Sequence, residues 1–212
     1  VPASTGFLTK TANVGKMTNR GVELLVNARI LSTKLFSWDV SANYTRIRNK
    51  VVEIGGGITS FSINGNRFTG ALPTIMEGEP YGVIVGNKWQ RSPDGQLLIN
   101  PANGLPLGTV AGQVIADPNR DYMAGLTNNF RYGKLSFSFL WDYKHGGDVV
   151  SWGVIGYRNL GALKIQGEDR DLPRIFPGVI ETTDGKYVPN TIQIPVQTYW
   201  VGMGQTSGAG DM

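Results

Sequence analysis

From Leu35 to Thr45 the chain alternates with a period of two residues. Phe36, Trp38, Val40, Ala42 and Tyr44 fall on one face, and Ser37, Asp39, Ser41, Asn43 and Thr45 on the other. That is the pattern of a β-strand with one apolar and one polar side. Upstream, Val22, Leu24, Val26, Ala28 and Ile30 alternate with Glu23, Leu25, Asn27 and Arg29. Only Leu31 to Lys34 separates the two runs, so they are expected to pair as an antiparallel hairpin. A second hairpin repeats the design. Tyr122, Ala124, Leu126, Phe130 and Tyr132 lead to a turn at Gly133 and Lys134, and Leu135, Phe137, Phe139, Trp141 and Tyr143 return, with Leu140 breaking the polar side.

Each strand runs for about ten residues, enough to cross a bilayer when tilted, and rings gather toward strand ends, as in the aromatic girdles of membrane barrels. A soluble β-sandwich would alternate in the same way. The connections separate the two readings. The hairpin turns are short, whereas 49–121 and the region after His145 are long, irregular and rich in Gly and Pro. Compact soluble domains rarely hold such loops, but outer-membrane barrels combine short periplasmic turns with long outer loops. The fold class expected is therefore all-β, a portion of an antiparallel transmembrane β-barrel with long extracellular loops.

Within those loops, Tyr81 to Trp89 and Gln96 to Asn100 flank the turn sequence Ser92-Pro93-Asp94-Gly95 and are read as a hairpin. Its second arm is too short to cross a membrane, which places it outside. Ser151 to Trp200 contains Pro173, Pro177, Pro189 and Pro195, which limit strand pairing. It is expected to be an outer excursion with one short helix around Val154 to Lys164, and its residues 167–186 to be removable without touching a membrane strand.

Composition narrows the chemistry. The 212 residues include no Cys and a single His, His145, so disulfides, thiol nucleophiles and two-histidine metal sites are excluded. Charged residues make up 17%, low for a surface facing water, and Gly at 29 of 212 is about twice the usual share. A net charge of +4 without runs of Lys and Arg gives nucleic-acid binding little support. No apolar stretch is long enough for a membrane helix, and the first residues lack the features of a signal peptide.

Asp117, Asn119 and Asp121 imitate the start of a calcium loop, but Tyr122 and Asn128 replace its Gly and bidentate Glu. Glu168, Asp169 and Asp171 surround Arg170 and could hold a cation, although a solvated charged loop accounts for them as well. His145 has no partner for a metal site and no G-x-S-x-G serine to activate. Neither an enzyme nor a cofactor site is expected. The rings and cations of the outer segments are the candidate substrate or partner contacts: Trp89, Trp152, Tyr157, Arg158, Arg170, Arg174, Tyr199 and Trp200. Such rings suit stacking on sugar faces, and equally suit packing a loop against its neighbours.

The order of short phrases carries a family likeness. Asn13 to Gly15 is followed by Thr18-Asn19-Arg20-Gly21-Val22-Glu23-Leu24, then by Phe36-Ser37-Trp38-Asp39, Asn43-Tyr44 and Asn49-Lys50-Val51. Glu77-Gly78-Glu79-Pro80-Tyr81-Gly82, Ala116-Asp117-Pro118-Asn119-Arg120-Asp121-Tyr122, Gly125-Leu126-Thr127-Asn128 and Gly146-Gly147-Asp148 come later. In this order the chain resembles the SusC/RagA family of TonB-dependent outer-membrane transporters of Bacteroidota. Ala116 and Arg120 depart from the family's usual Gly and Pro. The resemblance implies residues 1–212 to be a fragment of the later barrel, without signal peptide, plug or final strands. It also implies import of oligosaccharides or peptides across the outer membrane, a SusD-like surface lipoprotein as partner, and TonB acting through the missing N-terminal region.

Overall fold

The computed structural model describes residues 15–63, 70–168 and 170–205, apart from the side chains of Trp152, Ile155, Gly204 and Gln205. In chain order it contains β1 (Lys16–Ser32), β2 (Phe36–Glu53), β3 (Ser60–Ser62), β4 (Ala71–Met76), β5 (Val83–Trp89), β6 (Thr109–Ala116), β7 (Arg120–Tyr132) and β8 (Leu135–Gly146). These are followed by α1 (Trp152–Asn159), α2 (Lys164–Gly167), β9 (Val179–Glu181), β10 (Tyr187–Pro189) and α3 (Val196–Gln205). No described helix is long and apolar enough to cross a membrane. The chain divides into two compact units, one built around β1, β2, β7 and β8, the other around β5, β6 and most of the residues after Gly147.

The first unit is an antiparallel sheet in the order β1-β2-β7-β8. Both expected hairpins form, and the central contact joins β2 to β7 across more than seventy residues of sequence. The register puts Trp38 opposite Phe130 and Phe130 opposite Phe137, Val40 opposite Asn128 and Asn128 opposite Phe139, and Ala42 opposite Leu126 and Leu126 opposite Trp141. Directly opposed residues share a face, so the alternating sets of the two hairpins merge into one apolar side. Its rings touch in a chain from Trp38 and Phe130, 5.5 Å apart, through Phe137 and Phe139 to Trp141. This side is open: Leu135 is 74%, Phe137 64% and Trp141 68% exposed.

β1 and β2, at 17 and 18 residues, extend well past the expected ten. A bulge between Arg29 and Leu31 leaves Ile30 without a partner and keeps Arg29 beside Asp39, to which it donates a 2.7 Å hydrogen bond. On the polar side Gly125 lies directly against Asn43, whose Oδ1 would be 2.6 Å from a Cβ added there. Arg120, the family departure, stands at a second bulge and donates to the Gly146 carbonyl at 3.0 Å.

A polar residue sits among the rings of the apolar side. Asn128 is buried, and its Oδ1 accepts a 3.1 Å hydrogen bond from the Trp38 indole. The bond satisfies an amide that would otherwise be stranded among rings. Trp38→Phe is expected to destabilise the assembled sheet by about 1–3 kcal/mol, the cost of an orphaned buried acceptor. Adding Asn128→Leu should recover most of that loss in urea unfolding of the complete protein in lipid, since no unpaired acceptor then remains.

The second unit corrects the expectation of irregular loops. The turn at Ser92 to Gly95 forms, with Gly95 N–H donating to the Ser92 carbonyl at 2.8 Å. Beside it Arg91 and Leu97 form an antiparallel bridge, but β5 itself lies between β4 and β6 in its sheet, and Gln96–Asn100 is not one of its strands. β6 offers eight residues, whereas the expected arm has five and ends at Pro101, which has no N–H to give. Gln96–Asn100 instead bonds in several directions: Leu98 N–H to Gln90, Ile99 N–H to Val179, and its Leu98 carbonyl to Leu107 N–H.

Trp89, Leu97, Ile99, Phe176 and Ile194 form the buried core of this unit, with Leu105, Ile180, Ile192, Tyr199 and Met203 packed against it. The segment 167–186, expected to be removable, supplies Phe176 and Val179 to the buried set. The expected helix around 154–164 forms as α1, which ends at Asn159, ahead of Gly161 with its left-handed φ of 69°, and α2 follows from Lys164. α3 was not expected at all. Pro195 starts it, accepting from Tyr199 N–H at 3.0 Å, and Val196, Tyr199, Trp200 and Met203 recur at helical spacing.

Candidate functional site

A cavity of about 800 Å³ opens in the second unit between the end of α1, α2, the 170–173 segment and the first turns of α3. Its size fits a small-molecule or oligomer site. Arg158, Gln166, Arg170, Gln193, Gln197 and Trp200 supply most of its functional groups, and Ile194, Pro173 and Pro195 much of its apolar lining.

α1 lies against α3, which brings Arg158, in the last turn of α1, to the same cavity as Trp200. Gln166 fixes the end of α1. Its Nε2 donates to the Arg158 carbonyl at 2.7 Å, while its Oε1 accepts from Leu163 N–H at 3.0 Å. One buried amide thus joins the helix-end carbonyl of Arg158, which also accepts from Gly161 N–H at 3.3 Å, to the next turn. Gln166→Leu is expected to cost about 1–3 kcal/mol locally, because Leu163 N–H loses its acceptor and the Arg158 carbonyl loses the shorter of its two hydrogen bonds. Hydrogen exchange should then accelerate through α1 and α2 while the amides of β7 and β8 stay protected.

Arg174 is held by paired backbone bonds with Ile194, 2.9 Å in each direction. Its guanidinium carbon lies 5.3 Å from the Trp200 ring and 5.7 Å from the Tyr199 ring, and the two rings meet edge to face at 5.2 Å. The cation–π contact stabilises a half-buried charge. Nevertheless the Nε atoms of Arg158 and Arg174 and the Nε1 atoms of Trp200 and Trp89 are buried without a hydrogen-bond acceptor among the described residues.

Of the eight candidate contacts, Arg158, Arg170 and Trp200 line the cavity. Arg174 and Tyr199 stand beside Trp200, and Trp89 belongs to the buried core. Tyr157 is 56% exposed and is not part of the lining. The side chain of Trp152 lies outside the described residues. Trp89 and Trp200 have their faces committed to packing, which leaves little ring area for stacking a sugar. Gln166, Gln193 and Gln197 were missed: single glutamines carry no local pattern, and only the meeting of α1 with α3 brings them together.

Of the cation candidates, Asp171 lines the cavity, Glu168 follows α2, and Asp169 is outside the described residues. Among the described residues no group of three or more His, Asp or Glu is placed to hold a metal. In the D-x-N-x-D stretch, Asn119 donates to the Tyr81 carbonyl, and Asp121 pairs with Arg48 and His145. These side chains are spent on the ends of β2, β7 and β8 far from the hairpin turns rather than on a shared ion.

No protein-family model matches the chain. It is 22% identical over 175 residues to the TonB-dependent receptor P3 of Formosa agariphila, covering 73% of this chain and 18% of the receptor. It is 26% identical over 155 residues to the TonB-dependent receptor SusC of Bacteroides thetaiotaomicron, covering 66% of this chain and 15% of SusC. The chain is related to the SusC-type TonB-dependent receptors. Its β1-β2-β7-β8 sheet is accordingly a portion of an antiparallel barrel wall, and the barrel is incomplete within these residues. The SusC-like chain spans less than a fifth of the length of the relatives it matches. Among solved structures it aligns with the RagAB peptide transporter at 18% identity and a TM-score of 0.44, over 68% of this chain and 16% of the other.

Proposed function

We propose that the SusC-like chain forms part of the wall and outer loops of an outer-membrane TonB-dependent transporter that imports oligosaccharides or peptides. In this reading residues 1–212 are a partial barrel domain, a SusD-like lipoprotein caps the outer mouth, and TonB works through a region N-terminal to these residues. The observation that carries the reading is the single apolar side shared by β1, β2, β7 and β8, with its rings left open. Lipid tails suit such a face, and water does not. A soluble sandwich would bury it under a second sheet.

The polar side, with Asp39, Ser41, Asn43, Ser138 and Asp142, then faces the lumen, and the second unit belongs to the outer loops. The test uses the parent gene with an epitope tag in its own host. Outer-membrane fractionation, co-purification of a surface lipoprotein, and uptake of labelled oligosaccharide or peptide that stops when TonB is deleted are the expected results. Recovery of the protein in a soluble fraction would sink the proposal, and uptake unaffected by TonB would leave a passive porin.

A further inference from the structure

We propose that the cavity between α1, α2 and α3 receives a carboxylate carried by the imported oligomer. The inference rests on the transporter reading and adds a chemical class to it. Arg158 and Arg170 line the cavity, and Arg174 stands against Trp200 on its wall. Against these cations the described lining sets one carboxylate, Asp171, which is exposed. No described acidic side chain forms a salt bridge with Arg158 or Arg174, although acidic partners are found for Arg29 and Arg48 elsewhere.

Burial sharpens the imbalance. Arg158 Nε and Trp200 Nε1 are both buried and both lack an acceptor among the described residues, and Trp200 is only 9% exposed. Both atoms are closed to solvent, so an incoming group reaches them only if the wall shifts, and the Arg158 and Arg170 side chains that line the cavity supply its accessible charge. A guanidinium presents a planar fork that matches the two oxygens of a carboxylate, so a carboxylate entering the cavity would meet charge and geometry together. The amides of Gln193 and Gln197 add neutral donors and acceptors for the rest of the ligand, and Ile194, Pro173 and Pro195 give it an apolar floor. Acidic peptides and uronic acid oligosaccharides share this chemistry.

The complete transporter in detergent would be titrated calorimetrically with two matched pairs: tetraglutamate beside tetraglutamine, and tetragalacturonate beside its neutral methyl ester. Expected is tighter binding of the acid in at least one pair, and the pair that responds tells peptide from sugar. In Arg158→Gln combined with Arg170→Gln, that preference should fall at least about tenfold, the loss of a charge-assisted hydrogen bond. Arg170 is exposed, so Arg170→Gln alone is read in case the double variant fails to assemble, and its preference must also fall. Heat-modifiable mobility verifies the folded barrel. Equal binding of acid and neutral probes, no binding of either acid, or a preference that survives the substitutions in an assembled barrel overturns the inference. Failure of TonB-dependent uptake would overturn the transporter reading separately, whatever the titrations show.

Discussion

Arginine at Phe139 is expected to destabilise the assembled barrel by about 2–4 kcal/mol if the residue sits near the middle of the bilayer, whereas arginine at the adjoining Ser138 should cost far less. Phe139 lies in the row with Asn128 and Val40, on the side that carries Trp38, Phe137 and Trp141. Ser138 lies opposite Asn129, on the other side of the same strand. Because side chains alternate strictly, neighbouring residues probe opposite environments at nearly the same depth. Val40→Arg and Ser41→Arg repeat the comparison on β2. Urea titration of the complete protein in vesicles reads the difference. Equal tolerance within both pairs would show that the apolar side does not meet lipid.

Phe176→Ala is expected to destabilise the second unit by about 3–5 kcal/mol, the usual range for truncating a buried aromatic ring. Phe176 is 1% exposed, and its ring centroid lies 4.4 Å from that of Tyr199. It therefore joins α3 to the segment that bears β9. The neighbouring fit is close: a Cβ on Gly178 would collide with the Leu97 carbonyl, and one on Gly202 would come 3.0 Å from Leu105 Cδ2. A cavity left at Phe176 has no spare side chain to fill it. Limited proteolysis should cut between 160 and 205 in the variant at protease levels that leave the parent intact, while the β1-β2-β7-β8 sheet keeps its heat-modifiable mobility. Unchanged cleavage would mean that the core around Phe176 does not hold α3.

The two experiments probe parts of the chain that differ in how far they could be read from residues alone. In the sheet, each strand is specified by its own alternation, and a two-residue turn such as Gly133-Lys134 leaves a hairpin only one register. The faces of β2, β7 and β8 follow directly from that. Even there, Asn128 escaped, because its place among the rings depends on the indole of Trp38, 90 residues away in sequence. The family phrases were legible for the same reason as the strands, being local runs of residues.

The second unit behaves differently. β5 chooses β6 over the nearer Gln96–Asn100, and a parallel bridge ties Leu98 to Val179. α3 contains Gly202, unfavourable inside a helix, and is stabilised where that glycine packs against Leu105 and Phe176. The sequence by itself determined the alternating strands, their faces and the two tight turns, since neighbours along the chain supply the pattern and the turn. Only the tertiary structure decided the neighbours of β5, the packing of α3 and the meeting of Arg158 with Trp200. Those depend on which distant groups can satisfy a backbone N–H or fill a gap, and no local period records that.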